Sequence, residues 1–361
     1  GNIVFPGFTA PKLVWMRKHE PEFFAAIDKI CLPKDYLAFW LTGVLKTEMS
    51  DAAGSSWLNV GARCWSDDLI DATRILREQL PEVLEGCDVT GQVRDDLANE
   101  LGLPRNIAVV AGAADNAAAA CGIGAMADGQ GFVSLGTSGV ILAGKDSYAP
   151  NPSSAVHTFC HAVPNHWYQM GVILSATGSL NWLSDVTGQT PASLSAGLPN
   201  KPQGPTTLRF LPYLSGERTP HNDAEIRGAF IGLSSSTDHV DMTQAVMEGV
   251  AFALRDSFEA LRKTGTKLDR LTVIGGGAKS PFWVQTLANV LNRPIDLPVK
   301  GDFGAALGAA RLAVLGVTDA TIKDVMHPPA IETVFYPENH LEYEDAYLKY
   351  QHSYEVIKNI Q

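Results

Sequence analysis

The chain has 361 residues, of which 45% are hydrophobic and 19% charged, a composition typical of a folded protein and not of a disordered one. The net charge is −11 and the basic residues form no stripe, which argues against nucleic acid as a partner. No apolar run reaches the ~20 residues of a membrane span, and the first residues lack a signal-peptide pattern. Five scattered cysteines predict reduced thiols, so we expect a cytoplasmic protein with two domains.

Residues 1–127 combine helical patterns with short strands. We expect two helices in residues 21–43, broken near Pro33, and a further helix in residues 66–80. The apolar residues 107–114 predict a buried strand that runs into a turn and then into a helix beginning near Asp115. The glycine-containing junction at residues 127–131 is the best candidate for a domain boundary.

The second part, residues 128–361, alternates strands and helices. Residues 131–144 predict a hairpin folded about a Gly-Thr-Ser-Gly turn at 136–139. Residues 243–265 predict a long helix, with Asp241 placed to cap it.

Near the carboxyl end, a strand at residues 271–274 leads into three glycines. Ser280 and Pro281 then supply the N-cap and the first residue of another helix. Residues 303–316, rich in alanine and glycine, predict a helix that packs closely on a sheet.

Asp115 carries the strongest catalytic signal in the sequence. Together with Asn116 it stands in a stretch, residues 108–125, otherwise made of Ala, Gly, Val, Ile and one Cys. A carboxylate at a helix start meets backbone N–H groups and the positive end of the helix dipole, which favours the charged form that takes a proton from a hydroxyl. A simple N-terminal cap is the alternative. Because the helix has almost no polar face, we expect it to form the wall of a pocket.

Two glycine-containing loops are candidate phosphate sites. The N–H groups and hydroxyls of the 136–139 turn can face a phosphate, although most such turns bind nothing. The glycines at 275–277 lie between a strand and a capped helix, as in nucleotide loops, with a plain turn as the alternative.

His157 and His161 are four residues apart and invite a metal interpretation. The segment has the pattern of a strand, in which residues at this spacing would not bring both rings around one ion. We therefore expect hydrogen-bonded core or loop histidines and no metal site.

Two long signatures resemble those of the FGGY family of carbohydrate kinases. They are GFTAPKLVWMRKH at residues 7–19 and GAFIGLSSSTDHVDMTQAVME at residues 228–248. The resemblance runs along essentially the whole chain. Within the family, the segments PGFTAPKL, GAADNAAAA, SLGTSG and PYLSGERTPHN are most similar to members that phosphorylate D-xylulose.

The resemblance implies an actin-like (ribonuclease H-like) α/β fold of two domains, with residues 1–127 on the sugar side and 128–361 on the nucleotide side. It implies phosphorylation of D-xylulose by ATP, with Mg²⁺ carried by the nucleotide. It assigns Asp115 as the general base and Asn116 as a sugar-binding residue. The implied nucleotide-binding positions are Gly136, Thr137, Ser138, Thr177, Asn181, Gly275, Gly276 and Gly277.

The chain departs from the family pattern in one respect, since it lacks the D-x-G-T phosphate loop and the sugar-contacting Met-His pair. We therefore expect an incomplete first domain and little activity of the chain alone, because phosphoryl transfer depends on positioning and charge stabilisation. The alternatives are a kinase for another sugar or polyol, such as ribulose, gluconate or glycerol, and a non-catalytic actin-like module that binds nucleotide or sugar. A homodimer is compatible with each of them.

Overall fold

The computed structural model describes residues 1–299 and 304–360. The α-helices, numbered in chain order, are α1 (Thr9–His19), α2 (Pro21–Ala25), α3 (Pro33–Thr42), α4 (Met49–Ala53), α5 (Asp67–Thr73), α6 (Asp95–Glu100), α7 (Asp115–Ile123), α8 (Thr177–Thr187), α9 (Pro191–Ala196), α10 (His239–Arg262), α11 (Pro281–Leu291), α12 (Ala305–Val317), α13 (Ile322–Val325) and α14 (His340–Lys358). None of the helices described is long and apolar enough to cross a membrane.

The strands are numbered in the same way. They are β1 (Lys46–Glu48), β2 (Leu58–Asn59), β3 (Cys64–Trp65), β4 (Glu82–Leu84), β5 (Val89–Gln92), β6 (Ala108–Val110), β7 (Gly131–Leu135), β8 (Gly139–Lys145), β9 (His157–Cys160), β10 (Trp167–Ile173), β11 (Arg209–Leu211), β12 (Ala229–Ile231), β13 (Leu271–Ile274), β14 (Ile295–Pro298) and β15 (Ile331–Phe335). Short 3₁₀ turns occur at Arg77–Gln79, Pro152–Ser154 and Gly276–Lys279.

A mixed seven-stranded sheet organises the second part of the chain, in the order β15-β14-β13-β7-β8-β10-β9. The predicted hairpin is confirmed, because β7 and β8 pair antiparallel and Leu135 lies opposite Gly139 next to the turn. β13 pairs parallel with both β7 and β14. Every residue of β8 is buried, as expected for a central strand covered on both faces.

The main hydrophobic core surrounds this sheet. The helix α10 contributes Val246, Val250 and Phe252, and α11 contributes Trp283, whose indole N–H donates to the Met247 carbonyl at 3.0 Å. Since a buried Trp must satisfy its N–H, this bond ties α11 to α10. The strongly apolar face of α10 thus anchors the layer that covers the sheet.

The first part of the chain is built from smaller units. Its strands form two-stranded sheets, the parallel pair β1-β4 and the antiparallel pairs β2-β3 and β5-β6. The sequence predicted a buried strand at residues 107–114, but β6 spans three residues that are only half-buried. It packs as one edge of a two-stranded sheet, so apolar character alone overestimated its burial.

The helices α7 and α12 pack at very close range. A Cβ atom added to Gly308 of α12 would lie 1.8 Å from the Ala118 carbonyl oxygen of α7, so only glycine permits this approach. The buried Arg311 guanidinium donates to the carbonyls of Cys121 and Gly122 at 2.8 Å each. These are free carbonyls at the end of α7, and Arg311 therefore fixes α7 against α12.

Several helix boundaries differ from those predicted. The cap of α10 is Asp238, whose carboxylate accepts from Val240 and Asp241, while Asp241 is the third residue of a capping box. The helix expected over residues 66–80 ends at Thr73, and only a 3₁₀ turn follows. The helix predicted at 303–316 corresponds to α12, although Phe303 lies outside the described residues.

Candidate active site

The two glycine loops predicted as phosphate sites meet at one edge of the sheet. β7 and β13 are parallel neighbours, with Ile274 opposite Ser134. Their carboxyl ends therefore lie side by side, and each strand leads directly into a loop, the 136–139 turn after β7 and the 275–277 glycines after β13. In open α/β sheets, ligands bind beyond the carboxyl ends of the strands.

Glycine is required where the two loops touch. Gly275 has φ +91°, and a Cβ atom there would lie 2.7 Å from the Leu135 carbonyl oxygen. A Cβ atom on Gly277 would lie 2.7 Å from the Leu135 Cβ and 3.3 Å from Thr177 Cγ2. The glycines thus let the backbone of the second loop pack directly on the end of β7.

The start of α8 holds the 136–139 turn in place. Thr177 Oγ1 donates to the Gly136 carbonyl at 2.8 Å, and the N–H groups of Ala176 and Gly178 donate to the Thr137 carbonyl. Within the described part of the chain, the N–H groups of Gly136, Thr137 and Ser138 donate to no other backbone group, which suits an anion.

A cavity of about 600 Å³ opens beside these loops. Its lining contains four of the residues predicted from sequence, Thr177, Asn181, Gly276 and Gly277. This volume is in the range of small-molecule and cofactor sites. Gly136, Thr137, Ser138 and Gly275 do not line the cavity, but they adjoin it through Thr177 and Gly277.

Sequence reasoning missed the rest of the lining. These residues are Leu180, Pro191, Ala192, Ser195, Ala196, Lys279, Ser280, Pro281 and Trp283. Most are small or apolar and belong to α9 or to the start of α11, where nothing in the local pattern separates a cavity wall from an ordinary helix face. Lys279, a cation two residues after the last glycine of the loop, is the member of this set for which the sequence offered a signal.

Asp115 and Asn116 stand together at the start of α7. Asp115 is exposed, and its Oδ1 accepts from the Asn116 backbone N–H at 2.6 Å and from the Asn116 side-chain amide at 3.0 Å. The predicted helix start is confirmed, whereas the alternative of a simple N-terminal cap is wrong, because Ala114 is the N-cap and Asp115 is the first helical residue. Residues 117–123 are all buried, which confirms the buried helix.

Acidic groups surround Asp115 on the α4 side. Burial, together with the negative charges of Glu48, Asp35 and Asp115, raises the pKa of the Asp51 carboxyl to about 7 against the lowering effect of Lys34. Asp115 therefore lies within electrostatic reach of a second carboxyl group. The Lys34 ammonium contacts Asp35 at 2.6 Å and Glu48 at 3.4 Å and partly balances this charge.

The structure does not bring all of the predicted residues into one cavity. Asp115 and Asn116 are absent from the lining of the 600 Å³ cavity, so the predicted base and the nucleotide loops form two separate clusters.

The prediction for the two histidines is partly wrong. His157 lies in β9, as expected for a strand, but neither His157 Nε2 nor His161 Nε2 has a hydrogen-bond partner among the described residues. Burial lowers the pKa of each ring to about 3, which leaves them neutral. Across residues 1–299 and 304–360, no group of three or more His, Cys, Asp or Glu side chains could hold a metal ion.

Comparisons with known proteins agree with this geometry. The N-terminal domain of the FGGY family of carbohydrate kinases matches residues 1–122, and the C-terminal domain matches residues 131–317. A xylulose kinase from Escherichia coli (strain K12) is 41% identical over 363 residues, covering 100% of this chain and 74% of the relative. One from Klebsiella pneumoniae is 43% identical over 343 residues, covering 94% and 70%.

The fold is matched as well. The crystal structure of a xyloylose kinase from Brucella ovis superposes with a TM-score of 0.96 at 50% identity, covering 100% of this chain and 75% of that one. The predicted actin-like α/β fold is thereby confirmed. Models of both family domains match the chain, which spans 74% of the Escherichia coli relative, and the expected incompleteness of the first domain stays a prediction. With both domain models and relatives above 40% identity in agreement, this chain belongs to the FGGY family of carbohydrate kinases.

Proposed function

We propose that this chain transfers the γ-phosphoryl group of ATP to D-xylulose and forms D-xylulose 5-phosphate. The observation that carries the kinase activity is the meeting of two glycine loops beside a cavity of about 600 Å³, where the N–H groups of residues 136–138 donate to no backbone group among the described residues. The sugar follows from the relatives, which are named xylulose kinases and of which the chain spans almost three quarters.

In the proposed reaction, Asp115 acts as the general base. Its carboxylate takes the proton of the sugar's terminal hydroxyl while that oxygen attacks the γ-phosphorus. The new O–P bond forms as the bond to the β-phosphate oxygen breaks, and ADP leaves. The Asn116 side-chain amide donates a hydrogen bond to the Asp115 carboxylate, so Asn116 can orient both this carboxylate and the sugar.

The nucleotide is held by the second part of the chain. The N–H groups and hydroxyls of Gly136, Thr137 and Ser138 bind the β- and γ-phosphates, and Gly275, Gly276 and Gly277 let the adenosine approach the backbone. Thr177 and Asn181 line the cavity that receives it. In this arrangement the phosphates lie at the 136–139 turn and the adenosine lies in the cavity.

We propose that Mg²⁺ enters this site bound to the phosphates of the nucleotide. No group of metal-ligating side chains in the described residues could hold it, so we assign it to the ATP phosphates, where it neutralises charge. We further propose a division of the domains at residues 127 and 128, a cytoplasmic location and assembly as a homodimer.

A substrate panel tests the proposal. ADP release is measured with D-xylulose, D-ribulose, D-gluconate and glycerol, with a reaction lacking sugar as control, and the sugar product is identified by mass spectrometry. We expect the highest kcat/KM with D-xylulose. A higher value with another substrate would replace D-xylulose by that substrate.

Nucleotide binding provides the second measurement, because Trp283 lines the cavity and its fluorescence should change with ATP. Binding without turnover of any sugar would favour the non-catalytic module. Since little activity was expected of the chain alone, turnover is also measured at high enzyme concentration over hours.

A further inference from the structure

The segment that precedes Asp115 is held by a serine far away in the sequence. The Ala114 N–H donates to Ser50 Oγ at 2.9 Å, across 64 residues. Ala114 is the N-cap of α7, so its amide lies one residue before the carboxylate. Ser50 is only 1% exposed, which keeps water from replacing its hydroxyl.

A buried glutamate fixes the direction of the Ser50 hydroxyl. Glu48 Oε2 accepts from Ser50 Oγ at 2.8 Å and from the Ser50 N–H at 2.7 Å, while Glu48 Oε1 accepts from the Asp51 N–H at 2.8 Å. A carboxylate only accepts, so the serine proton points to Glu48. The oxygen lone pair is then free to receive the Ala114 N–H.

Glu48, which orients the Ser50 hydroxyl, is itself held in a fixed position. Glu48 is fully buried, caps α4 and lies 3.4 Å from the Lys34 ammonium of α3. A charge-assisted network with several bonds per group leaves little freedom to the side chains. The other end of α7 is held by Arg311, so the helix is fixed at both ends.

We propose that Ser50, oriented by Glu48, is a positioning residue for Asp115. The inference rests on the proposed function, in which Asp115 is the base. Ser50 does not touch substrate, but its bond sets the peptide plane at Ala114 and with it the direction in which Asp115 leaves the helix. Because misplacing a reacting group by about 1 Å can cost up to about a hundredfold in rate, loss of this bond lowers kcat.

The test compares Ser50→Ala with Ser55→Ala. Ser55 is a matched control, because it is also buried and its hydroxyl donates to the Ala52 carbonyl and accepts from the Trp57 N–H, so its bonds stay within its own segment. We expect Ser50→Ala to lower kcat by about tenfold with an unchanged KM for ATP, and Ser55→Ala to change neither.

Two further measurements separate positioning from a loss of folding. Amide hydrogen exchange at Ala114 should be faster in Ser50→Ala and unchanged in Ser55→Ala. Ser50→Cys keeps the size of the side chain but hydrogen-bonds weakly, and it should lower kcat as Ser50→Ala does, with the unfolding transition close to that of the parent chain.

The outcomes distinguish this inference from the function on which it rests. Turnover by the parent chain with equal kcat in Ser50→Ala, Ser50→Cys and Ser55→Ala overturns the role of Ser50 and leaves the kinase activity standing. A raised KM for ATP with unchanged kcat also overturns it. Absence of turnover in the parent chain overturns the proposed function, and the role of Ser50 with it.

Discussion

Residues 1–127 and the described residues after 127 differ in the sheets on which they are built. The first region has two-stranded sheets, and its β6 is only half-buried. The described part of the second region is organised on the seven-stranded sheet, whose interior strand β8 is wholly buried. The 136–139 and 275–277 loops directly follow two strands of this sheet. The position of Asp115 depends instead on the hydrogen bonds of Ser50 and Glu48 and on the packing of α7 against α12. If the proposed roles hold, we expect nucleotide affinity and acid–base chemistry to depend on different parts of the chain.

The largest expected effect is a loss of sugar phosphorylation without a loss of ATP affinity. Asp115→Ala in the first region should reduce sugar phosphorylation by about a thousandfold, because it removes the general base, while ATP affinity stays the same. The measurements are ADP release and nucleotide titration. Asp95→Asn, at an exposed carboxylate of α6, serves as the control and should keep full activity. Unchanged turnover in Asp115→Ala would remove Asp115 as the base.

The contact between the regions is tested at Gly308. Gly308→Ala would place its Cβ 1.8 Å from the Ala118 carbonyl oxygen, so α12 must shift, and we expect the free energy of unfolding to fall by about 3 kcal/mol. Urea denaturation measures it. Gly54→Ala is the control, since Gly54 has φ −80° and its added Cβ would lie at an ordinary 3.5 Å from Asp51 O. Equal stability of the two variants would contradict this packing.

A buried carboxyl group in the second region links its stability to pH. Burial raises the pKa of Glu248 to about 8, against the hydrogen bonds from Gln244 and Thr206 that lower it. The unfolded chain titrates near pH ~4.3. The folded chain therefore holds an extra proton between these values, so its free energy of unfolding falls progressively as the pH rises from about 4.3 to about 8 and changes little above that.

Glu248→Gln cannot lose that proton. We expect it to match the parent chain at about pH 4 and to exceed its free energy of unfolding by up to about 5 kcal/mol at about pH 9. Urea denaturation across this pH range measures the difference. Glu355→Gln, on the exposed face of α14, is the control and should follow the parent chain at every pH. A constant difference between Glu248→Gln and the parent would contradict the raised pKa.

The smallest effect concerns the nucleotide loop. Gly275→Ala introduces a side chain at φ +91° and 2.7 Å from the Leu135 carbonyl oxygen, so the loop must move, and we expect ATP to bind about tenfold more weakly. Gly265→Ala has the same strained backbone, φ +86°, with no atom within 4 Å of the added Cβ. It should lower stability without changing ATP affinity. Equal affinities in the two variants would exclude a role of this close approach.

Features that depend on residues close together in the sequence were predictable from it. The hairpin about the 136–139 turn, the Ser280 cap of α11 and the buried helix α7 follow from turn chemistry, capping and hydrophobic pattern. The cap of α10 was predicted at Asp241 because the apolar helical pattern begins at residue 243. The N-cap is Asp238, which begins the capping box.

The sequence by itself determined the family, the fold class and the loops that carry glycine, because these depend on residue types at fixed local spacing. Only the tertiary structure decided which segments became neighbours. The parallel pairing of β7 with β13 brought two loops that begin 139 residues apart, at Gly136 and Gly275, to one edge, and part of the cavity wall came from α9, which has no local signal. Ser50 likewise reached Ala114 only through folding. Such contacts are set by packing over long sequence separations, which no short pattern encodes.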